Sequence, residues 1–384
     1  MHQEISKWVK FFQGLIYTKF RQQKSEAIEV LTSLIVGHLF GLYNLNQLSD
    51  ALLIPKSSLY QHLSCWSLSQ WKRLLLEIAC QQAYEHIVQT ESMSEATQSR
   101  RRITLSVDDT VQQRDGKVLA YCYHWYSGRF HKTLAGQNIL AVTIKIGHVV
   151  IPLVVRLVPK QGRANTQKPQ LLVQMLSEVI DFFSNRRIEI TDYPITFDSW
   201  YGSQPLREEL ETLGFSQILV HAKSSYVFTI KKENAKLSTH KATVVLDENA
   251  WGCSCPVCRV KAESPTFGKL VLLFFKDGGK VRCMMAFGRP LRGVEILSVW
   301  HQHHGIEQFW RNLKSHVQLH QMRMRGRDGA YASLAVKVLS YLLLTHLTLA
   351  TGLTFHQIAL LLSGQRASFW ETIEHFHQDI TTER

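Results

Sequence analysis

The hydrophobic residues change their period near residue 100, and this change most constrains the fold. Between residues 25 and 42, apolar side chains recur three or four positions apart, which predicts a buried amphipathic helix. From residue 103, apolar and polar side chains alternate, which predicts a strand ending at Asp108, Asp109 and Thr110. We therefore expect a helical region at 1–98, followed after a polar linker and three arginines by a sheet.

The chain carries a large excess of positive charge. Its 384 residues include 44 Lys and Arg against 31 Asp and Glu, a formal net charge of +13. Such a surface attracts polyanions because bound phosphates release their counterions, although a basic protein without a nucleic-acid partner has the same composition.

Cysteine usage and hydropathy favour a cytoplasmic protein that does not cross a membrane. Seven cysteines, an odd number, and an N terminus without an apolar leader predict a reducing compartment. The apolar run at 338–349 is shorter than the ~20 residues that a spanning helix needs, and it contains His346. We expect it to be a buried helix.

Residues 46–63 show the pattern of a helix-turn-helix. A short helix over 47–52 and a second helix, which Ser57 or Ser58 would cap, are joined by a turn containing Pro55. The alternative is an ordinary helical hairpin. If the second helix contacts DNA, the side chains that would meet phosphates or base edges are Lys56, Ser58, Tyr60, Gln61 and His62.

The segment from 103 to 221 predicts an α/β layer rather than a strictly alternating doubly wound sheet. Two strands, at 119–126 and 139–158, follow the first, and the second of them is broken near Gly147 into a hairpin. The remaining predicted elements are a helix at 168–186, a strand at 195–198, a helix at 205–213 and a strand at 217–221.

Three acidic residues stand where metal-dependent chemistry would need them. Asp108 and Asp198 each follow an apolar strand, and Glu307 lies on a predicted helix. Carboxylates brought together from separate elements hold Mg²⁺ or Mn²⁺, as a pair of ions, against a phosphodiester. Asp109 is the alternative first ligand, because alternation puts it and Asp108 on opposite faces of the strand. A single strand-end aspartate can also merely cap a turn.

Glu307 belongs to a spaced block, Trp300-x2-His303-x3-Glu307-x6-Lys314. This block resembles the last catalytic block of the DDE transposases of bacterial insertion sequences, in the group where it is written Tyr-x2-Arg-x3-Glu-x6-Lys. The Glu and Lys match, and the first two positions are substituted. The stretches at 107–110 and 197–203 are similar to the first and second blocks of that group.

The resemblance implies an RNase H-like catalytic core formed by residues 99–223 and 295–384. A β-rich insertion at 224–294 would interrupt this core, and the helical region at 1–98 would be a DNA-binding domain. By the same resemblance, Asp108, Asp198 and Glu307 are the metal-binding triad of the active site.

The resemblance also implies contacts between this block and DNA. Lys314 and Arg311 would hold phosphates near the cleaved bond, and His303 would make a weaker phosphate contact than the family's arginine. Trp300 would stack on an unpaired base. The alternative role of Trp300 and His303 is helix packing. A basic run at 321–327 would follow a phosphate backbone.

The implied activity is DNA transposition. The enzyme would bind the terminal inverted repeats of a mobile element, cut them with Mg²⁺ or Mn²⁺, and join the freed 3′ ends to target DNA, with a hairpin intermediate on the element end. Pairing two ends implies a homodimer or a higher assembly on double-stranded DNA. The alternatives are an RNase H-like nuclease without strand transfer and a catalytically silent DNA-binding protein derived from a transposase.

The insertion predicts further strands and raises the question of a zinc site. Its predicted strands lie at 226–230, 243–246, 268–275 and 280–287, with a hairpin turn at 277–279. A Cys-x2-Cys pair has the usual spacing of zinc ligands, but a second such pair is missing, so buried or loop thiols are the alternative. The four candidate ligands are Cys253, Cys255, Cys258 and Cys283.

Overall fold

The N-terminal region is helical, as its hydrophobic period predicts. The computed structural model describes residues 1–91, 103–114, 119–127, 131–160, 167–250, 252–365, 368–369 and 371–373. The predicted boundary at 98/99 and the three arginines at 100–102 lie outside these residues. The first five helices are α1 (His2–Lys19), α2 (Ser25–Leu39), α3 (Leu45–Leu52), α4 (Lys56–Ser64) and α5 (Leu68–Glu91).

The rest of the described chain forms a mixed α/β structure, which confirms the α/β class. The RNase H-like core stays a prediction. Its strands are β1 (Ile103–Gln113), β2 (Cys122–Ser127), β3 (Lys132–Ile146), β4 (Val149–Leu157), β5 (Ile195–Phe197), β6 (Gln217–His221), β7 (Val227–Ile230), β8 (Glu233–Lys236), β9 (Val257–Ser264), β10 (Gly268–Asp277) and β11 (Lys280–Gly288). Its helices are α6 (Gln167–Ser184), α7 (Gln204–Thr212), α8 (Leu237–Thr243), α9 (Gly293–Ser315), α10 (Gly326–Thr351) and α11 (Phe355–Ser363).

All eleven strands belong to one mixed sheet. Its order is β2-β3-β1-β5-β6-β11-β10-β9-β7-β8, and β4 also pairs with β3. Strand β1 runs antiparallel to β3 and parallel to β5, which in turn runs parallel to β6. Strand β11 then pairs antiparallel with β6, so the predicted insertion extends the central sheet along its edge.

Three predictions about strands are wrong. β1 does not end at Asp108, Asp109 and Thr110, because its antiparallel pairing with β3 continues to Gln113; only its parallel pairing with β5 stops, at Val107 and Phe197. The strand predicted to begin at 139 begins at Lys132, because its first residues pair with β2. The predicted strand at 243–246 is instead the end of α8 and a loop. By contrast, the hairpin between β10 and β11 turns at Gly278 and Gly279, both with positive φ, as predicted.

The N-terminal helices share one continuous apolar core with the sheet. Helix α10 lies at its centre and packs against α1, α2, α4, α5 and β4. Polar contacts cross the same junction: Ser340 Oγ donates to the Ile35 carbonyl at 3.2 Å, and Gln82 Nε2 donates to the Leu342 carbonyl at 3.3 Å. The division into a separate N-terminal domain stays a prediction.

Helix α10 is the buried helix expected from the apolar run at 338–349. Among the described helices it alone has the length and hydropathy of a membrane span, and 72% of its most apolar window is buried inside the protein. It also contains Lys337, whose ammonium donates to the carbonyls of Tyr43 and Val317. Its packing is that of a core helix and is consistent with a soluble protein.

Candidate active site

Two of the three predicted acidic residues emerge side by side from neighbouring parallel strands. Val107 of β1 pairs with Phe197 of β5, and each is followed directly by an aspartate. Asp108 is half-buried, whereas Asp198 is exposed and accepts a hydrogen bond from the Ser199 backbone N–H. The parallel register therefore brings Asp108 and Asp198 to the same place in the sheet.

Helix α9 carries Glu307 across the face of β1. Lys314 Nζ donates to Thr110 Oγ1 at 2.5 Å, which fixes the helix against this strand. Thr110 and Asp108 point to the same face of β1 because they are two residues apart. Glu307 precedes Lys314 by two helical turns and so lies along the same side of α9. The structure thus places Glu307 on the Asp108 side of the sheet.

The three carboxylates are close enough to influence one another electrostatically. Burial raises the pKa of Asp108 well above the usual aspartate value, and the charges of Asp109, Asp198 and Glu307 raise it further. Such mutual repulsion disfavours three ionised carboxylates unless a cation compensates for them.

The donor set fits a hard divalent cation. Carboxylate oxygens are the ligands that Mg²⁺ and Mn²⁺ prefer, and the three side chains supply only such oxygens. Within the described ranges, no three Asp, Glu, His or Cys side chains stand at metal-ligating separation. The three carboxylates are thus neighbours, but their oxygens are too far apart to bind one ion together in this arrangement. Glu307 is 58% exposed and contacts His304 Nδ1 at 3.4 Å.

Asp109 faces the other side of β1, where its carboxylate is fully engaged. It accepts hydrogen bonds from Asn138 Nδ2 at 2.7 Å, from Lys168 Nζ at 2.6 Å and from the Tyr201 hydroxyl at 2.8 Å. These donors come from β3, α6 and the short 3₁₀ turn after Asp198. Of the two alternative first ligands, Asp108 is therefore the one that faces Asp198 and Glu307.

Trp300 and His303 pack inside the protein. Trp300 is 8% exposed, and its ring lies against those of His221 and His303 with centroids 5.5 and 5.9 Å apart. His303 is 5% exposed, and its burial lowers its pKa to about 4. The expected base stacking and phosphate contact do not fit these positions, because neither side chain presents an open surface to DNA. The alternative, helix packing, describes both residues.

The remaining residues of the block are accessible. Arg311 is exposed on α9, and Lys314 is half-buried beside Thr110. Both lie within two turns of Glu307 on α9, and the Lys314 ammonium contacts Thr110, two residues after Asp108.

The predicted helix-turn-helix segment forms two helices, α3 and α4, which pack against each other. Helix α4 begins at Lys56 after Pro55, so the predicted cap at Ser57 or Ser58 is wrong; the fixed φ of proline already suits a helix start. Leu59 and Leu63 are buried as expected. Of the five side chains predicted to contact DNA, Lys56 and Gln61 are exposed and the other three, Ser58, Tyr60 and His62, are half-buried.

The four candidate zinc ligands do not come together. Cys258 and Cys283 pair with the same residue of β10, Phe274, from its two sides, and they belong to the main core. Cys253 and Cys255 pack with the smaller apolar cluster that α9 forms with β6, β10 and β11. Burial is the main cause that raises the pKa of each thiol above its usual value, which favours the protonated form over a metal-binding thiolate.

Sequence reasoning missed the residues that surround Asp109. In the sequence, Lys168 stands at the start of a predicted helix and Tyr201 within a block similar to a family motif, and neither position indicates a partner for Asp109. A buried lysine gives no local sequence signal, because its partner lies 59 positions away. The one available signal was the adjacent pair Asp108-Asp109, in which the second carboxylate requires a cationic or donor partner once the strand is buried.

No protein-family model matches this chain, and a search of curated proteins finds no match. The function of the chain is therefore inferred from the site.

Proposed function

We propose that this chain is a DDE-type transposase, a metal-dependent enzyme that cleaves DNA at element ends and transfers the strands to target DNA. The observation that carries the proposal is the grouping of Asp108, Asp198 and Glu307 on one face of the sheet, with the pKa of Asp108 raised in part by the other two. We expect the protein to act in the cytoplasm, in association with the nucleoid.

The strand order supports an RNase H-like core for this site. Antiparallel strands β4, β3 and β1 are continued by parallel strands β5 and β6, and the acidic residues lie where the two halves meet. The β-rich segment joins after β6 and so leaves this arrangement intact. An insertion at this point agrees with the proposed division at residues 224–294.

Each acidic residue would serve as a ligand for Mg²⁺ or Mn²⁺. When two ions are bound, they would activate a water molecule or a 3′-hydroxyl and stabilise the leaving oxygen. Lys314 and Arg311 would neutralise and orient the phosphate next to the carboxylates. Asp198 and Glu307 are exposed, so a DNA backbone has access to them.

A basic surface beside α4 supports binding of double-stranded DNA. The Tyr60 hydroxyl of α4 donates to the Arg323 carbonyl at 3.4 Å, which places the basic run next to the helix-turn-helix. In that run Met322 and Met324 are buried, while the arginines at 323, 325 and 327 are exposed. Terminal inverted repeats would lie across α4 and this run, and pairing of two ends would require at least a dimer.

A cleavage and joining assay tests the proposal. A supercoiled plasmid carrying the genomic sequences that flank the coding region is incubated with the protein and Mn²⁺, and nicks, hairpins and joined products are mapped. Asp108→Asn, Asp198→Asn and Glu307→Gln should each reduce cleavage at least about 100-fold, because each removes a ligand of the metal-ion pair.

Asp181→Asn is the matched control, because Asp181 is an exposed carboxylate on α6. It should cleave like the wild type. Undiminished cleavage by the three site variants would refute the proposal. Cleavage without joined products would favour a nuclease of the same fold, and DNA binding without cleavage would favour a silent derivative.

A further inference from the structure

The carboxylate of Asp109 connects the two segments that carry Asp108 and Asp198. Asp109 adjoins Asp108 on β1, and its Oδ1 accepts a hydrogen bond from the Tyr201 hydroxyl at 2.8 Å. Tyr201 ends the 3₁₀ turn that begins directly after Asp198, and its backbone N–H donates to the Asp198 carbonyl at 3.1 Å. The hydrogen bond between the Asp109 and Tyr201 side chains thus links the two segments that carry Asp108 and Asp198.

This connection lies where the backbone pairing stops. The β1–β5 ladder comprises three residue pairs and ends at Val107 and Phe197, one residue before each aspartate. Beyond that point, within the described chain, no further β1–β5 pair holds the two segments together. Past the end of the ladder, the Asp109–Tyr201 hydrogen bond holds the two segments together, on the opposite side of the sheet from Asp108.

The Asp109 carboxylate is itself held rigidly. Lys168 is 5% exposed, and its ammonium contacts Asp109 Oδ2 at 2.6 Å while lying 4.6 Å from the centroid of the Trp200 ring and 5.8 Å from that of Trp125. Asn138 donates to the same oxygen. The Lys168 side chain is 6% exposed and that of Asp109 is 16% exposed, so separating the ions would leave a buried ammonium uncompensated.

We infer that Asp109, Lys168 and Tyr201 form a positioning unit that sets the distance between the Asp108 and Asp198 carboxylates and thereby the affinity for the divalent cation. The inference rests on the proposed function, because it assumes that these two aspartates bind the metal. In this role, Asp109, Lys168 and Tyr201 contact neither the metal nor the substrate. They act through Asp108 and Asp198, which they hold in position.

Tyr201→Phe is the most selective test, because it removes one hydroxyl and keeps the buried ring. Mn²⁺ binding is measured by isothermal titration calorimetry on the full chain, without DNA. We expect the Mn²⁺ dissociation constant to rise about tenfold, the size typical for the loss of a hydrogen bond to a metal-ligand shell. In cleavage assays the Mn²⁺ concentration at half-maximal rate should rise equally, and saturating Mn²⁺ should restore the rate to within about threefold.

Tyr341→Phe is the matched control. Its hydroxyl is also buried and donates to a backbone carbonyl, that of Val150, but it does not touch Asp109. This variant should lose thermal stability like Tyr201→Phe and keep the wild-type Mn²⁺ dissociation constant. Lys168→Met provides a second variant in the unit and should weaken Mn²⁺ binding in the same direction.

The outcomes separate this inference from the proposed function. If the wild type binds Mn²⁺, Asp108→Asn abolishes binding and Tyr201→Phe leaves it unchanged, the positioning unit is refuted and the active site stands. If Asp109→Asn abolishes binding while Asp108→Asn retains it, Asp109 is a ligand and the inference is again wrong. If the wild type binds no Mn²⁺, the proposed function itself fails.

Discussion

Asp108 and Asp109 show how adjacent residues of one strand acquire different tasks. Alternation turns Asp108 toward Glu307 and Asp109 toward Lys168, so the first meets further acidic charge and the second has a cation within 2.6 Å. Their environments, and not their residue type, separate a candidate ligand from a positioning residue.

Asp108→Asn should stabilise the metal-free protein. Because the pKa of Asp108 is raised in the folded state, folded protein retains a proton that unfolded protein releases, and stability falls as the pH rises above the usual aspartate pKa. The asparagine variant removes this loss, so its unfolding free energy at pH 7 should exceed that of the wild type. Urea denaturation in EDTA measures the difference.

Mn²⁺ should make the wild type more stable than Asp108→Asn. The ion binds only the folded wild type, whose melting temperature should rise with Mn²⁺ concentration, whereas that of Asp108→Asn should stay constant. An equal Mn²⁺ response from both proteins would contradict the assignment of Asp108 as a ligand.

His303 should make the protein sensitive to acid. Its pKa is lowered to about 4, from 6.5, chiefly by burial, so between these values the unfolded chain binds a proton that the folded chain does not. Stability is therefore lost as the pH falls below 6.5, by about 2 kcal/mol between pH 7 and 5. Urea denaturation at both pH values measures this loss. The loss of unfolding free energy between pH 7 and 5 should be about 2 kcal/mol smaller in His303→Asn than in the wild type. The same pH dependence in both proteins would show that His303 is not the cause.

At the scale of elements, β6 pairs antiparallel with β11, and this pairing attaches the predicted insertion to the rest of the sheet. Gly288 ends β11 opposite Gln217, with φ +79°, and a Cβ there would lie 2.2 Å from the Ser216 carbonyl oxygen. This close backbone approach requires glycine at the junction.

Gly288→Ala should therefore destabilise the fold by about 3 kcal/mol or more, because backbone must move as well as adopt a strained φ. Gly279→Ala is its matched control, since Gly279 has φ +78° but open space around it. Its cost should be about 1 kcal/mol, from the strained φ alone. Thermal unfolding of the two variants separates the effects, and equal losses would show that the junction is not tightly packed.

The sequence predicted most elements because their local patterns are strong. Short apolar runs predict the strands at 217–221, 268–275 and 280–287, with a Gly-Gly turn between the last two, and helical or apolar runs predict α9 and α10. The length of β1 was missed because its second half is held by long-range pairing with β3, which leaves no local trace. The predicted strand at 243–246 is wrong because short segments rich in β-branched residues also occur at the ends of helices.

The candidate site was predictable only in part. The spacing of Glu307 and Lys314 on one helix indicated their shared face, and strand ends indicated Asp198. The packing of Trp300 against His221, and the donors around Asp109, depend on contacts between distant segments. Sequence alone left the choice between Asp108 and Asp109 open because it requires knowing which face of β1 meets α9.

At the scale of the whole molecule, one apolar core joins helices α3 and α4 to helix α9. Helix α4 packs against α10, which follows α9 through the exposed basic run. DNA bound at α4 would thus lie along the arginines at 323, 325 and 327 on a path between the two sites.

Two sets of variants should affect DNA binding differently. Replacing the three arginines by glutamine should weaken binding to all duplexes and reduce the slope of log affinity against log salt by about 0.9 for each phosphate that is no longer neutralised. Gln61→Ala with His62→Ala should weaken binding to the element end more than to unrelated duplexes, with little change in that slope. Gel-shift titrations at several salt concentrations measure both. The same response from the two sets would contradict separate roles in phosphate binding and base reading.

The most direct measurement is a crystal structure of the protein soaked in Mn²⁺, with anomalous diffraction locating the ion. We predict an anomalous peak at about 2.0–2.2 Å from carboxylate oxygens of Asp108 and Asp198, with Glu307 completing the site and Asp109 still bound to Lys168. A peak coordinated by Asp109, or crystals in which fully occupied Mn²⁺ lies elsewhere and the three carboxylates point apart, would contradict the proposed site.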